Sequence, residues 1–181
     1  MNELSELQQV ARIAFASEFA FYLKAHEFHW NVEGVHFQQF HQLFGNIYEE
    51  VYAVVDDFAE KLRALGCYAP GSLNKISVLT RIEDQESAIP DGAMVQMLLE
   101  DSDKIVILFK MVYDVAEREG EHGFSNFLAD LMDKHRKFSW MLRSVLKWTY
   151  TTSSSLLKFG NLNEDHWLPT SYHWFLRIDI E

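Results

Sequence analysis

The sequence predicts an all-α protein, a four-helix bundle with one long crossover connection, and three observations support this fold class. Three prolines and eight glycines in 181 residues are few, which favours long helices over many short strands and turns. Apolar residues recur every three or four positions in four long segments. The connection between the second and third segments is long, whereas the other two are short turns.

The first two helices are predicted over about residues 2–30 and 36–65. A short break over 31–34 separates them, and Gly66 is a natural stop for the second helix. The second helix has the most regular apolar stripe in the chain, with spacings of three or four throughout. That stripe consists of Phe37, Phe40, Phe44, Ile47, Val51, Val54, Phe58, Leu62 and Leu65.

Residues 67–90 are predicted to form the crossover, with a short helix over 73–79. A connection of this length is too long for a tight turn between helices and long enough to travel along a bundle. The third helix is predicted over 91–119, with Asp91 as a candidate for its N-terminal cap. The fourth is predicted over 124–148.

The end of the chain differs in composition from the bundle. Residues 149–155 are rich in Thr and Ser and are predicted to form a linker. We therefore assign residues 1–149 to the bundle and 150–181 to a C-terminal extension. The extension is rich in aromatic residues but shows no helical or strand period, and the sequence indicates no role for it.

Composition narrows the functional classes. The formal net charge of -11 disfavours sequence-independent binding of nucleic acid and suits a surface that attracts cations. The lone cysteine, Cys67, excludes an internal disulfide framework and fits a reducing compartment. No apolar run approaches the roughly 20 residues that span a bilayer, and the acidic N-terminus shows no secretory signal. We expect a cytoplasmic protein without membrane contacts.

A polar stripe on the second helix is the strongest candidate for a functional site. On a helical wheel, five positions share a face directed away from the apolar stripe. These are His41, Gly45, Tyr52, Asp56 and Glu60. The two carboxylates are one turn apart and can bind a cation together, although such a pair is more often only a solvated acidic face.

His41 lies 15 residues before Asp56, which corresponds to roughly 22 Å along a helix, so one helix cannot bring both to one metal ion. A twofold axis near residues 49–50 would place His41 of one chain opposite Asp56 and Glu60 of another. The prediction is an isologous dimer with two equivalent sites. His29, one short loop from His41, could complete the nitrogen ligands, and such a mixed set suits iron, manganese or zinc.

Three segments resemble the Dps family, the ferritin-like mini-ferritins, and the likeness extends over about residues 5–148. They are His29-Trp-Asn-Val-Glu-Gly-Val-His-Phe-Gln-Gln-Phe-His41, Asp56-Asp-Phe-Ala-Glu-Lys-Leu-Arg-Ala-Leu-Gly66 and Asp133-Lys-His-Arg-Lys-Phe-Ser-Trp-Met-Leu-Arg143.

The resemblance implies a ferritin-like bundle and a ferroxidase site made of His29 and His41 from one subunit and Asp56 and Glu60 from the twofold-related subunit. It also implies that Trp30 takes part in electron transfer. The expected assembly is a hollow dodecamer that oxidises Fe(II), preferably with hydrogen peroxide, and stores the ferric mineral.

The sequence departs from the family pattern at two places. Many members have an aspartate where this chain has Gly45. Either a ligand is missing and a second iron position is weak, or the glycine permits a close approach of the partner chain. The iron-entry pore of the family is usually lined by aspartate near the start of the fourth helix. The local residues here are Glu121, His122, Asn126 and Asp130.

Two other functions compete with iron storage. The first is a nucleoid-associated DNA-binding protein, which the net charge and the absence of a basic tail disfavour. The second is a redox enzyme with a di-iron site inside the bundle. Such a site needs inward Glu residues and Glu-x-x-His pairs, and the third and fourth helices have no Glu-x-x-His.

Overall fold

The computed structural model describes residues 4–153 of the chain, and side chains up to residue 147. Within these residues all regular structure is α-helical. The helices are α1 (Glu6–Asn31), α2 (Phe37–Ala64), α3 (Leu73–Leu79), α4 (Asp91–Glu119) and α5 (His122–Ser153). Helix α1 packs on α2 and α4, and α4 packs on α5, while the short α3 lies in the crossover against α1. The predicted all-α bundle with a long crossover and a short helix within it is confirmed.

The ends of the helices follow from capping chemistry. Helix α1 begins later than predicted because Ser5 caps it: the Ser5 hydroxyl accepts from the Gln8 amide, and the Gln8 side chain accepts from the Ser5 amide. Gly66 follows α2 with a φ of 81°, a left-handed conformation that glycine adopts at little cost. Asp91 is the first residue of α4 and Pro90 is its N-cap, so the prediction that Asp91 caps this helix is wrong.

Helix α5 is longer than predicted at both ends. It begins at His122 and continues to Ser153, so the first part of the predicted linker is helical. Ser and Thr lower helix propensity only slightly compared with Gly or Pro, and their presence alone does not end a helix. The boundary between residues 149 and 150 stays a prediction, and residues 154–181 lie outside those that the structure describes.

The core is built largely from aromatic rings. Phe58 of α2 packs edge-on against Phe15 of α1, with ring centroids 5.6 Å apart, and also contacts Phe109 and Phe124 from α4 and α5. The apolar stripe of α2 faces this core as predicted, apart from the half-exposed Phe37 at its start. Among the described helices, none is both long and apolar enough to cross a membrane.

The antiparallel pairing of α1 and α2 positions the candidate site. At one end the Gln8 side chain donates to the carbonyl of Leu65, at 2.7 Å. At the other end a short turn containing Gly34, with a φ of 107°, joins the helices. The last turn of α1 therefore lies beside the first turns of α2, which brings His29 next to His41.

Candidate metal centre

His29 and His41 form a stacked pair held by two reciprocal hydrogen bonds. Their ring centroids are 3.7 Å apart and the ring planes are inclined by 21°. Nδ1 of His29 donates to the carbonyl of His41, and Nδ1 of His41 donates to the carbonyl of His29, each at 2.7 Å. Each helix therefore fixes the imidazole of the other.

This bonding sets the tautomer of both rings. A carbonyl oxygen can only accept, so each Nδ1 must carry the proton. In the neutral ring the lone pair is then on Nε2, and no residue in the described part of the chain forms a hydrogen bond with either Nε2. A backbone carbonyl that orients a histidine in this way is typical of metal-binding imidazoles.

Gly45 lies beneath the His29 ring. It is buried, whereas the helical wheel placed it on an outward face, and that prediction is wrong because the ring of His29 covers it. A β-carbon at this position would lie 3.2 Å from Nδ1 and 3.3 Å from Cε1 of His29. The group that approaches Gly45 closely thus belongs to its own chain.

Asp56 and Glu60 are exposed on α2, one turn apart, as the sequence predicted. Neither forms a hydrogen bond or ion pair with another residue of the described chain. Within residues 4–153 of one chain, no three side chains from His, Cys, Asp and Glu gather closely enough to hold a metal ion. One chain brings the two histidines together and leaves the two carboxylates apart from them.

An aromatic cluster surrounds the histidine pair. Trp30 is 60% exposed and packs against His26, with ring centroids 4.1 Å apart. His26 stacks on Tyr48 at 3.9 Å, and Tyr48 meets the edge of His29 at 5.1 Å. Burial, with a smaller contribution from repulsion by His29, lowers the pKa of His26.

Sequence reasoning did not identify His26 and Tyr48 as neighbours of the site. The available signal was spacing: His26 is one helical turn before Trp30, and Tyr48 is two turns after His41.

Comparison with known proteins assigns the chain to a family. The profile of the ferritin-like domain matches residues 13–149. A DNA protection during starvation protein of Helicobacter pylori is 31% identical over 132 residues, which cover 72% of this chain and 92% of that protein. The chain belongs to the Dps family. An uncharacterized low temperature-induced protein of Nostoc is 30% identical over 73% of this chain and 75% of its own length.

The fold of this Dps protein agrees with solved structures. The crystal structure of a Dps protein from Bacillus brevis superposes with a TM-score of 0.75 at 25% identity, over 80% of this chain and 99% of that one. Membership of this ferritin-like family supports iron storage and ferroxidase-type activity in general terms.

The bundle interior of this Dps protein contains a different histidine. His135 of α5 is 1% exposed, and its Nε2 lies 3.0 and 3.3 Å from the two carboxylate oxygens of Glu18. Its Nδ1 lies 3.1 Å from the hydroxyl of Ser102. The buried residues of α2 contribute no carboxylate to this interior. These contacts argue against the di-iron site within the bundle.

The residues considered for the iron-entry pore lie at the start of α5. Glu121, His122, Asn126 and Asp130 are all exposed. Nδ1 of His122 lies 3.2 Å from a carboxylate oxygen of Glu117, which joins the end of α4 to the start of α5. Their part in iron entry stays a prediction.

Proposed function

We propose that this chain is an iron-storage and peroxide-detoxifying ferroxidase that oxidises Fe(II) at sites shared between two subunits. Each site uses His29 and His41 of one subunit with Asp56 and Glu60 of the partner subunit. The observation that carries this proposal is the reciprocal hydrogen bonding of the histidines, which directs both Nδ1 protons to carbonyls and leaves both Nε2 lone pairs available.

A second copy of the chain can complete such a site by simple geometry. Asp56 is roughly 22 Å from His41 along α2, which excludes a site within one straight helix. A twofold axis near residues 49–50 would place α2 of a partner antiparallel to this one. His41 of each chain would then lie opposite Asp56 and Glu60 of the other. The same operation forms two equivalent sites in one dimer.

The proposed ligands suit both oxidation states of iron. Imidazole nitrogen and carboxylate oxygen bind Fe(II), and the hard oxygen ligands favour the Fe(III) product. Two Fe(II) ions supply two electrons to one hydrogen peroxide molecule, which takes up two protons and leaves as two waters. Trp30, exposed beside the pair, is the proposed participant in electron transfer. We place the mineral in a hollow shell of twelve chains, whose net negative charge attracts iron cations.

Mixing two inactive variants tests the shared site. One variant carries His29→Ala with His41→Ala, and the other carries Asp56→Ala with Glu60→Ala. Each alone should lose rapid Fe(II) oxidation. Co-expressed and randomly mixed, the two should recover about a quarter of the parent's sites, because one site in each mixed dimer draws all its ligands from unmodified positions.

The control for this experiment is assembly. Size-exclusion chromatography with light scattering should give the same particle mass for the parent, both variants and the mixture. Mineral loading after Fe(II) and peroxide should follow the recovered rate. A stable monomer with full oxidation rate, or a mixture no more active than its components, would refute the shared site.

DNA binding is the second candidate, suggested by the name of the Helicobacter pylori relative. The net charge of -11 opposes it, because binding to the phosphate backbone depends on cationic side chains. A gel-shift titration over a range of salt concentrations separates the two: a pure storage protein should leave DNA unshifted at physiological salt.

We also place the protein in the cytoplasm, and the state of Cys67 fits a reducing compartment. The thiol is buried, and this burial raises its pKa, so it is a poor nucleophile.

A further inference from the structure

We propose that five side chains in the bundle form a proton pathway between the buried His135 and solvent. Helix α1 contributes Glu18, α4 contributes Ser102 and Asp103, and α5 contributes His135 and Ser139. The pathway lets the folded bundle bind and release one proton at Nδ1 of His135. It includes none of the proposed iron ligands and does not depend on the proposed function.

The five side chains form an unbroken series of hydrogen-bonding atoms. Nε2 of His135 lies 3.0 Å from a carboxylate oxygen of Glu18, and Nδ1 lies 3.1 Å from the hydroxyl of Ser102. The hydroxyls of Ser102 and Ser139 are 3.1 Å apart, and that of Ser139 donates to a carboxylate oxygen of Asp103 at 2.6 Å. Asp103 is half-exposed, whereas the other four side chains are buried. The series therefore connects the core to the surface.

The hydroxyl of Ser102 accommodates both protonation states of His135. A serine hydroxyl donates one hydrogen bond and also accepts. When the ring is neutral with its proton on Nε2, the hydroxyl donates to Nδ1. When the ring is cationic, Nδ1 donates to the hydroxyl, whose own proton turns to Ser139 or to the carbonyl of His135, 3.0 Å away. Nε2 donates to Glu18 in both states, so neither state leaves a buried polar atom of the series unsatisfied.

Release of the proton to solvent follows the same hydrogen bonds. Nδ1 of the cationic ring gives its proton to Ser102, which passes its own hydroxyl proton to Ser139. Ser139 passes its proton to the carboxylate of Asp103, which releases it to water. Each hydroxyl keeps one proton throughout, and the ring loses one positive charge. Arg143 is the charged group beside this exit, 3.3 Å from the other carboxylate oxygen of Asp103.

The other surroundings of His135 are apolar. Three phenylalanine rings pack around the imidazole, those of Phe21, Phe109 and Phe138. The buried residues of α2 include no titratable group. The other buried charged side chains that the structure describes, Lys24 and Asp101, pair with each other and with Lys104. Exchange of the ring proton through these sides would need local opening of the helices.

The two nitrogens of one ring provide the first test. Magic-angle-spinning NMR of the sedimented assembly, labelled with ¹⁵N-histidine and assigned with His135→Gln, reports the protonation of each nitrogen. As the pH changes, Nδ1 of His135 should gain or lose its proton in the intact protein while Nε2 stays protonated. A constant Nδ1, or a loss of the Nε2 proton instead, would overturn the proposal.

Exchange with solvent then tests the route. In the cationic ring the Nδ1 proton should exchange at least about tenfold faster than the Nε2 proton, because local opening would expose both nitrogens alike. Equal exchange rates at the two nitrogens of His135 would mean that opening, and not the pathway, delivers the proton.

Ser139→Ala interrupts the series and leaves His135 in contact with Glu18. Exchange at Nδ1 should slow at least about tenfold, towards the rate at Nε2, because only local opening remains. Ser144→Ala is the matched control on the same helix, since the exposed Ser144 hydroxyl donates to the carbonyl of Trp140, and it should match the parent. Unchanged exchange in Ser139→Ala, or equal slowing in both variants, would refute the pathway. If Ser139→Ala does not assemble, the comparison of the two nitrogens in the parent decides.

Discussion

The buried His135 and the outer pair of His29 and His41 use the same side chain for opposite purposes. Both ring nitrogens of His135 meet partners within the bundle, Glu18 on one side and Ser102 on the other. The outer histidines use only Nδ1 within the chain. His135 completes an internal hydrogen-bond network. The outer pair is fixed in orientation through Nδ1, and Nε2 of each ring has no hydrogen-bond partner in the described part of the chain.

The difference shows what separates a structural histidine from a ligand. Burial requires that each polar atom be satisfied inside the protein, which consumes the lone pair that a metal ion would need. At the surface, satisfying only Nδ1 holds the ring without occupying Nε2. The number of nitrogens satisfied within the chain, rather than the presence of a nearby carboxylate, therefore distinguishes these sites.

The largest expected effect comes from breaking the interior network. Glu18→Ala should destabilise the fold by at least about 3 kcal/mol, since it leaves a buried imidazole nitrogen without an acceptor and creates a cavity. His41→Ala, which loses one half-buried hydrogen bond, should cost about 0.5–1.5 kcal/mol. Denaturant unfolding of the assembled variants, monitored by far-UV circular dichroism, measures both.

Glu18→Gln provides the matched control, because the amide keeps an acceptor oxygen and nearly the same volume. It should cost clearly less than Glu18→Ala. Equal costs for Glu18→Ala and His41→Ala would remove the contrast between the two regions.

A metal ion should stabilise the outer region alone. Zn(II), which has no redox chemistry, should raise the stability of the parent by about 2.7 kcal/mol when its free concentration is 100 times the Kd. The rise should be absent in Asp56→Ala with Glu60→Ala. Adding a chelator to the parent should return its stability to the metal-free level. Differential scanning calorimetry at several Zn(II) concentrations measures it. A full rise in the double variant would show that the stabilising metal binds elsewhere.

Much of this arrangement follows from the sequence by local rules. The apolar period of α2 predicted which side of the helix enters the core, and the short turn after α1 placed His29 near His41. The exposure of Asp56 and Glu60 followed from the same wheel. These features depend on one helix or on two helices joined by a few residues, so local periodicity determines them.

Features that depend on distant contacts were not predictable. A wheel of α2 alone placed Gly45 outward, because it contains no information about the α1 side chain that covers it. Glu18 and His135 are 117 residues apart, and nothing in the period of either helix marks them as partners. The reciprocal bonds of the outer pair depend on the exact approach of two backbones, which residue types do not encode.

A smaller effect tests whether burial, rather than a short distance, determines how much an ion pair contributes to stability. Lys24 and Asp101 form an ion pair at 2.5 Å with both side chains 4% exposed, and Lys110 and Asp114 form one at 2.5 Å with both more than half exposed. Lys110→Ala should change stability by no more than about 0.5 kcal/mol, because solvent screens exposed pairs. Lys24→Ala should cost several times more, since it leaves Asp101 buried with only Lys104 beside it. Chemical denaturation under one salt condition compares them, and similar costs would mean that burial is not the deciding factor.

The mildest test uses a third kind of histidine, the exposed His122 at the turn between α4 and α5. The hydroxyl of Ser125 and then the ring of His122 hold the pKa of Glu117 below its ordinary value by hydrogen bonding. A lowered pKa stabilises the fold above the ordinary value of the carboxyl, and the contribution disappears as the pH falls through the folded-state pKa.

Ser125→Ala should therefore raise the pKa of Glu117 more than His122→Ala does, because the serine makes the larger contribution. NMR titration of the Glu117 carboxyl carbon measures both shifts. In each variant the loss of stability that Glu117 contributes on acidification should be smaller than in the parent, because less of this stabilisation is present at neutral pH. A larger shift in His122→Ala would contradict this order, because the exposed histidine would then affect the Glu117 carboxyl more than the buried hydroxyl does. The number of ring nitrogens satisfied within the chain would then not describe how a surface histidine acts on its neighbours.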